Sequence, residues 1–446
     1  MPRGARCGNL IPFASSGLVL VALCAGARAA DFAVLHQFGA VNGDAAVPHA
    51  GVLLGPGGLL YGTTTQGGSP SCGGPGCGAV YQLTPPAIAG GVWSEAVIYG
   101  FAGGDDGASP ESDLALQDGS GALIGTANVD GVNGSGTAFA LVPPAIAGGS
   151  WTFTPLYAFG STQTDGERPQ AGLLAGPDGS YYGTTQAGGA DNGVESGWGT
   201  VFQLAPPAGE GDPWTQTVLE AFSGCCSNTN GYGTYPSAGV LLAGPNGSLL
   251  GTTSAGGRQN AGVAYQLLPP AKAGGAWMER KAFDFSSTSG TKGIYPNGGL
   301  ITGAGGAYYG MTTYGGRDEY GVVFELDAPA GGSTRWSYKV IHDFKDGHDG
   351  AFPLVGLTIG AGGVLYGSTS AGGGSHRCSA GCGTVFQLTP PTIAGGPWTE
   401  TVLHAFTHAD GAMPWGRLAI DANGVLYGTT AQGGSARLGV AFAVTP

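Results

Sequence analysis

From about residue 30 onward, short stretches of alternating apolar and polar residues follow one another with no helix-length amphipathic window between them. The span around residue 200 shows the unit. AGLLA (171–175), SYYGTT (180–185), GTVFQL (199–204) and WTQTVLEAF (214–222) succeed one another. Period-two alternation with β-branched and aromatic residues predicts four strands. Pro177-Asp178-Gly179 separates the first two, and Pro245-Asn246-Gly247 stands at the same place in the following copy. Proline presets one backbone angle of a tight turn, and glycine or asparagine supplies the positive one.

The unit recurs seven times. A Gly followed by Thr-rich residues stands at 62, 125, 183, 251, 310, 367 and 428, a mean spacing of 61. A second element, G-x-x-[FY]-x-[LV], starts at 78, 136, 199, 262, 321, 383 and 439. A third places Phe eight residues after Trp, as in Trp93/Phe101 and Trp398/Phe406. A fourth begins at Pro48, Pro110, Pro169, Pro236, Pro296, Pro353 and Pro414. Four short strands in each of seven copies predict an all-β fold, a seven-bladed β-propeller of four antiparallel strands per blade.

The ends of the repeat array separate a ring from an open solenoid. The last copy stops after GVAFAVTP without its fourth strand, whereas FAVLHQF near the start matches the fourth-strand pattern of TVLHAF at Phe406. Pairing Val34–Phe38 with Val440–Val444 closes a ring and covers a sheet edge, so the N-terminal strand is expected to complete the last blade. A solenoid has no reason to divide a repeat in this way.

The run F…DG..P..GLL.G..G.LYGTT..GG….GTVFQL, clearest at Leu365-Tyr366-Gly367 and Leu426-Tyr427-Gly428, resembles the Gloeo/Verruco (GloVer) tandem repeat of exported bacterial proteins. The resemblance covers essentially the whole chain after its leader. It implies export and no particular activity. Members often carry a C-terminal sorting or anchoring tail; this sequence stops at Pro446 without one, so anchoring by such a tail is not expected.

Composition changes the picture only slightly. Gly (90) and Pro (29) are abundant among 446 residues, a level that accompanies disorder when hydrophobicity is low. Here 42% of residues are hydrophobic and 10% charged, and Gly has no three-residue period, which excludes disorder and collagen. Residues 1–29 read as a secretory signal: Arg3 and Arg6, an apolar stretch too short to span a bilayer, then Ala27-Arg28-Ala29 as a small-x-small cleavage site. Residues 30–446 are expected to form one domain, secreted or periplasmic. Without the three leader arginines, 13 basic residues face 29 acidic ones, a balance that disfavours nucleic acid and anionic membranes as partners. In an oxidising compartment, Cys72/Cys77 and Cys378/Cys382 are expected to form local disulfides; the pairing of Cys225 and Cys226 is open.

In a propeller the two-to-three and four-to-one connections share one face, and here they vary in length while the three-to-four connector is constant. Function on a rigid scaffold sits on its variable loops. Arg258, Arg317, Arg377 and Arg437 occupy the two-to-three loops of four successive copies, and Arg168, Lys292, Lys345 and Arg417 lie on the same face. Guanidinium groups pair bidentately with carboxylates and sulfates, so the arc is a candidate site for an anionic ligand; pairing with nearby acids such as Asp318 and Glu319 is the plainer reading. Trp198 and Trp415 stand outside the repeat position and are candidates to stack on sugars. Asp106, Asp165, Asp349 and Asp410 lie in D-G-x-x-P, which suits calcium ligation or acid/base work but equally an Asp-Gly turn, and the turn is favoured. Asp130, Asn133 and Ser135 resemble only half a calcium loop. His36, His342 and His404 hold related strand positions and read as structural; His348, His376 and His408 lie in variable loops. No motif for a nucleophile, phosphate, metal or other cofactor is present. The sequence therefore favours a non-catalytic exported propeller that binds an extracellular glycan or protein. A lyase or hydrolase of acidic polysaccharide is the alternative.

Overall fold

The computed structural model describes residues 30–446, apart from 40, 42, 70–71, 89, 118, 147, 190–196, 210, 224–232, 237–238, 273, 287–291, 331–334 and 394. Residues 1–29, expected to be an export leader, and Cys225/Cys226 lie outside the described residues. Seven antiparallel sheets of four main strands form a seven-bladed β-propeller, with no α-helix among the described residues. The third blade is typical: Leu174–Ala175, Tyr181–Thr185, Thr200–Ala205 and Thr215–Ala221 lie side by side in chain order. Blades are numbered from the one that begins with Leu53–Leu54. The seventh holds Ala419–Ile420, Leu426–Gln432 and Val440–Thr445, and its outer strand is Asp31–Gln37. Val34 pairs with Phe442 and Gln37 with Val440, so the ring closes as the divided repeat predicts.

Each repeated residue turns out to serve a joint between blades. The Phe that ends every fourth strand is at most 1% exposed and meets, edge to face, the aromatic residue of the next blade's third strand. All seven such pairs, from Phe38–Tyr81 round to Phe406–Phe442, have ring centroids 4.9–5.3 Å apart, the preferred geometry of aromatic quadrupoles. The second-strand Gly makes room for that aromatic: a Cβ at Gly428 would lie 2.5 Å from Cζ of Phe442. The Thr after it reaches the next blade, as Thr429 Oγ1 donates to the Ala50 carbonyl at 2.9 Å. The second Thr fastens its own loop, as Thr430 Oγ1 donates to Gln432.

The fourth element is the joint on the variable face. The residue before each repeat Pro has φ between +52° and +58°, in all seven copies, a region that L-residues such as Val47 rarely occupy. Its N–H donates to a carbonyl of the preceding blade's two-to-three loop, as Val47 does to Leu438 at 2.8 Å and Phe352 to Tyr320 at 2.9 Å. The Pro then presses on the Gly that opens the preceding blade's third strand; Gly439, with φ +101°, leaves no space for a Cβ beside Pro48. After the Pro the chain turns to the axis, where segments of neighbouring blades touch backbone to backbone, Gly416 against Ala50 and Gly298 against Gly356. The first strand is thus innermost and the Trp–Phe strand outermost. Disulfides Cys72–Cys77 and Cys378–Cys382 form within equivalent two-to-three loops, as expected.

Candidate functional site: the axial mouth

Because the repeat Pro fixes where each chain turns inward, the residue after it faces the axis. In chain order these residues are His49, Glu111, Gln170, Ser237, Asn297, Leu354 and Trp415. Ser237 lies outside the described residues; the other six line a cavity of about 190 Å³ at the axis of the variable face. Trp415 and His49, from the seventh and first blades, stack with ring centroids 4.3 Å apart. Asp113 and Arg417, two residues further along their segments, stand between this mouth and an apolar channel of about 470 Å³ beneath it. Asp113 Oδ1 accepts the Gly51 N–H at 2.8 Å and so ties the second blade to the first.

Burial raises Asp113 above the ordinary carboxylate range, with the Gly51 N–H and the Arg417 charge pulling the other way. Burial also raises Glu111, against a hydrogen bond from Asn128. It lowers His49, which favours the neutral imidazole. The mouth therefore combines an aromatic platform, neutral amides, two carboxyls that resist ionisation and one guanidinium.

Of the residues singled out from sequence, Trp415 and Arg417 belong to this mouth. Trp198 does not: it is half-buried, edge-on to Tyr235 at 5.3 Å. Arg258, Arg317, Arg377 and Arg437 are exposed in loops that lie over the outer strands. The Arg258 and Arg317 N–H groups donate to Asp284 and Asp343, the last residues of those strands, and Ser435 N–H donates in the same way to Gln37. The D-G-x-x-P carboxylates organise their own loops: Asp106 accepts Tyr99 Oη and Ala102 N–H, and Asp165 accepts Tyr157 Oη and Ser161 N–H. His36 and Glu95 approach to 2.8 Å across a joint, His342 and Asp349 to 3.2 Å, and His404 stacks on Phe32 at 3.5 Å, all structural placements. His49, Glu111, Gln170 and Asn297 escaped the sequence reading, which compared loop lengths. The signal for them was substitution at one position inside an otherwise repeated segment.

In fold, the chain is similar to a protein provisionally assigned as a 6-phosphogluconolactonase from Bacteroides uniformis ATCC 8492, with a TM-score of 0.50 and 14% identity over 83% of this chain and 88% of that one. It is similar to a protein of unknown function from Dyadobacter fermentans DSM 18053 (TM-score 0.43, 12% identity, 94% and 98% covered). A third similar structure is Trypanosoma rangeli sialidase in complex with the inhibitor DANA (TM-score 0.43, 9% identity, 81% and 57% covered). At such identities the likeness is one of fold alone. No curated protein matches in sequence. Among the described residues, no helix is long and apolar enough to cross a membrane. The Gloeobacter/Verrucomicrobia repeat model matches residues 24–225 and 191–442, nearly the whole length, and the chain belongs to that repeat family.

Proposed function

We propose that this chain is exported and binds a saccharide at the axial mouth, without catalysing a reaction on it. One observation carries the reading: side chains after the seven prolines change from blade to blade, while the residues around them that hold the ring together repeat. The scaffold requires no one residue type there, and the six described residues converge on a single cavity. The Trp415 ring offers an apolar platform for a sugar face, and the amides, carboxyls and Arg417 offer hydrogen bonds to hydroxyl groups. A cavity of about 190 Å³ is smaller than the roughly 300 Å³ at which drug-sized pockets begin, so it suits one sugar ring, such as a chain end. The leader-like residues 1–29 and two disulfides support export. Arg258, Arg317, Arg377 and Arg437 stand over the outer strands and take no part in the mouth, whose cation is Arg417.

Calorimetric titration of the mature chain against mono- and oligosaccharides tests this. Trp415→Ala is expected to weaken binding by about 2 kcal/mol, roughly 30-fold, as a buried aromatic anchor does. Equal affinity of parent and variant for every sugar bound would end the proposal. The hydrolase or lyase alternative draws on Glu111, a carboxyl raised toward the range of a general acid. New reducing ends or unsaturated uronate absorbance in the same incubations would favour it.

A further inference from the structure

A groove on the side of the ring departs from the repeat in the opposite sense to the rest of the molecule. It runs between the outer strands of the fourth and fifth blades, Met278–Asp284 and Ser337–Asp343. A cavity of about 820 Å³ at the variable face and one of about 660 Å³ toward the opposite face share Lys281 and Trp336 in their walls, so they adjoin along the groove. Among the described residues, Arg258, Arg280, Lys281, Lys292 and Arg335 line it, five of the thirteen basic residues beyond the leader, with Asp284 the carboxylate in its wall and Asp327, which accepts from Ser337 Oγ, at its edge. Asp284 lies 2.7 Å from Lys281 Nζ and 3.7 Å from Arg258 Nε. The chain as a whole has a net charge of −13.

The other blades show what the repeat places here by default. At the position of Lys281 they carry Val97, Pro155, Val218, Val340, Val402 and Val34, and at that of Arg280 they carry Ala, Thr or Lys. Lys292 stands four residues before its Pro, where Asp44, Asp106, Asp165, Asp349 and Asp410 stand in five other copies. In four of those copies the Asp serves the strand residue two before the Phe, as Asp106 accepts Tyr99 Oη, while Asp44 accepts the Val41 N–H. Here that strand residue is Phe283, and Lys292 Nζ lies 5.3 Å from its ring centroid, a cation–π contact in place of a hydrogen bond. One joint of seven has thus exchanged an acid for a base and a valine for a lysine. Half-buried Trp336 stands where the two cavities meet.

We propose that this groove binds a linear acidic polysaccharide, its carboxylates or sulfates meeting the Arg and Lys side chains and one sugar ring lying on Trp336. A groove along the side of the ring takes a chain in mid-length, whereas the axial mouth of about 190 Å³ takes one ring. The inference stands apart from the axial site. Phe283, Tyr308 and Tyr338 line the groove beside Trp336 and offer stacking surface as well, so the oligonucleotide arm of the test separates this reading from single-stranded nucleic acid.

The test uses the mature chain with Arg280→Thr, Lys281→Val and Lys292→Asp, residues that other blades already hold at these positions, so the ring is expected to fold, with a lower melting temperature above about pH 7 because Lys281 no longer offsets Glu279. The probes are an oligogalacturonate, a neutral maltooligosaccharide of equal length and a single-stranded oligonucleotide. The parent should bind oligogalacturonate and neither of the others, with affinity falling about tenfold or more as salt rises from about 0.05 to about 0.5 M. The triple variant should lose about tenfold or more, while Lys339→Thr with Lys345→Asp, which removes positive charge outside the groove, should bind as the parent does. No binding by the parent, equal binding by the triple variant, equal loss in the control, or tighter binding of the oligonucleotide would each overturn the proposal.

Discussion

Gly428 shows how little room the repeat leaves for a side chain. Its backbone is not left-handed, so the requirement is one of space: Phe442 lies over it, and Leu418 Cδ2 would be 2.7 Å from an added Cβ. Gly428→Ala overpacks a joint whose aromatic partner, Phe442, is fully buried, and is expected to cost about 1–3 kcal/mol, seen as a lower midpoint in denaturant. The same logic explains what was legible at this scale. A Gly, a Pro or a Phe repeated seven times announces a steric demand, and each of these was found to meet one. The residues of the mouth are those that do not repeat, and their convergence on one cavity is visible only in the folded ring.

At the scale of strands, the joints differ in charge. Glu220 and Glu279 line a cavity of about 380 Å³ between the third and fourth blades. Both Glu279 oxygens are buried without a hydrogen-bond partner among the described residues. Burial first, then Glu220, pushes Glu279 up to about 7, with Lys281 pulling the other way; nearby Tyr265 is raised as well. A carboxyl raised in the folded state binds more protons there than in the unfolded chain, so stability falls as pH rises from about 4.5 to about 7. Glu279→Gln should remove this share: near pH 8 the variant is expected to be about 2 kcal/mol more stable than the parent, and near pH 4 equal to it. Denaturant melts at the two pH values check this, with Glu400, also raised to about 7, retaining its own slope in both proteins. The fourth strands were plain in the sequence through their Trp and Phe. Which of their side chains face each other was not, because Glu220 meets Glu279, and Lys292 meets Phe283, only once the ring sets neighbouring blades at a common register.

The whole molecule depends on one pairing between residues some 400 apart in sequence, Asp31–Gln37 with Val440–Thr445. Removing residues 30–40 takes away Phe38 and its contact with Tyr81 along with the outer strand of the seventh blade. Aggregation or a fall of about 10 °C or more in melting temperature is expected, since an open sheet edge recruits other chains. Normal melting as a monomer would contradict it. Ring closure was legible because a repeat cut in two leaves complementary fragments. The axial mouth was only partly legible: Trp415 and Arg417 stood out as rare residue types, whereas their neighbours on the axis come from blades far apart in the chain.

The strand that seals the ring is the first of the propeller to be made and the last to find its place. Until residues 440–445 arrive, Asp31–Gln37 has no partner, and six blades stand as an arc with two raw edges. Closure therefore measures length. A chain cut short at any point before its final strand cannot seal, however well its blades have formed, and it presents an unfolded leading segment and an unpaired sheet edge to whatever proteases patrol its compartment. The divided repeat thus predicts that chains cut before residue 440 are cleared faster than chains that include it, a difference read as half-life in the producing cell.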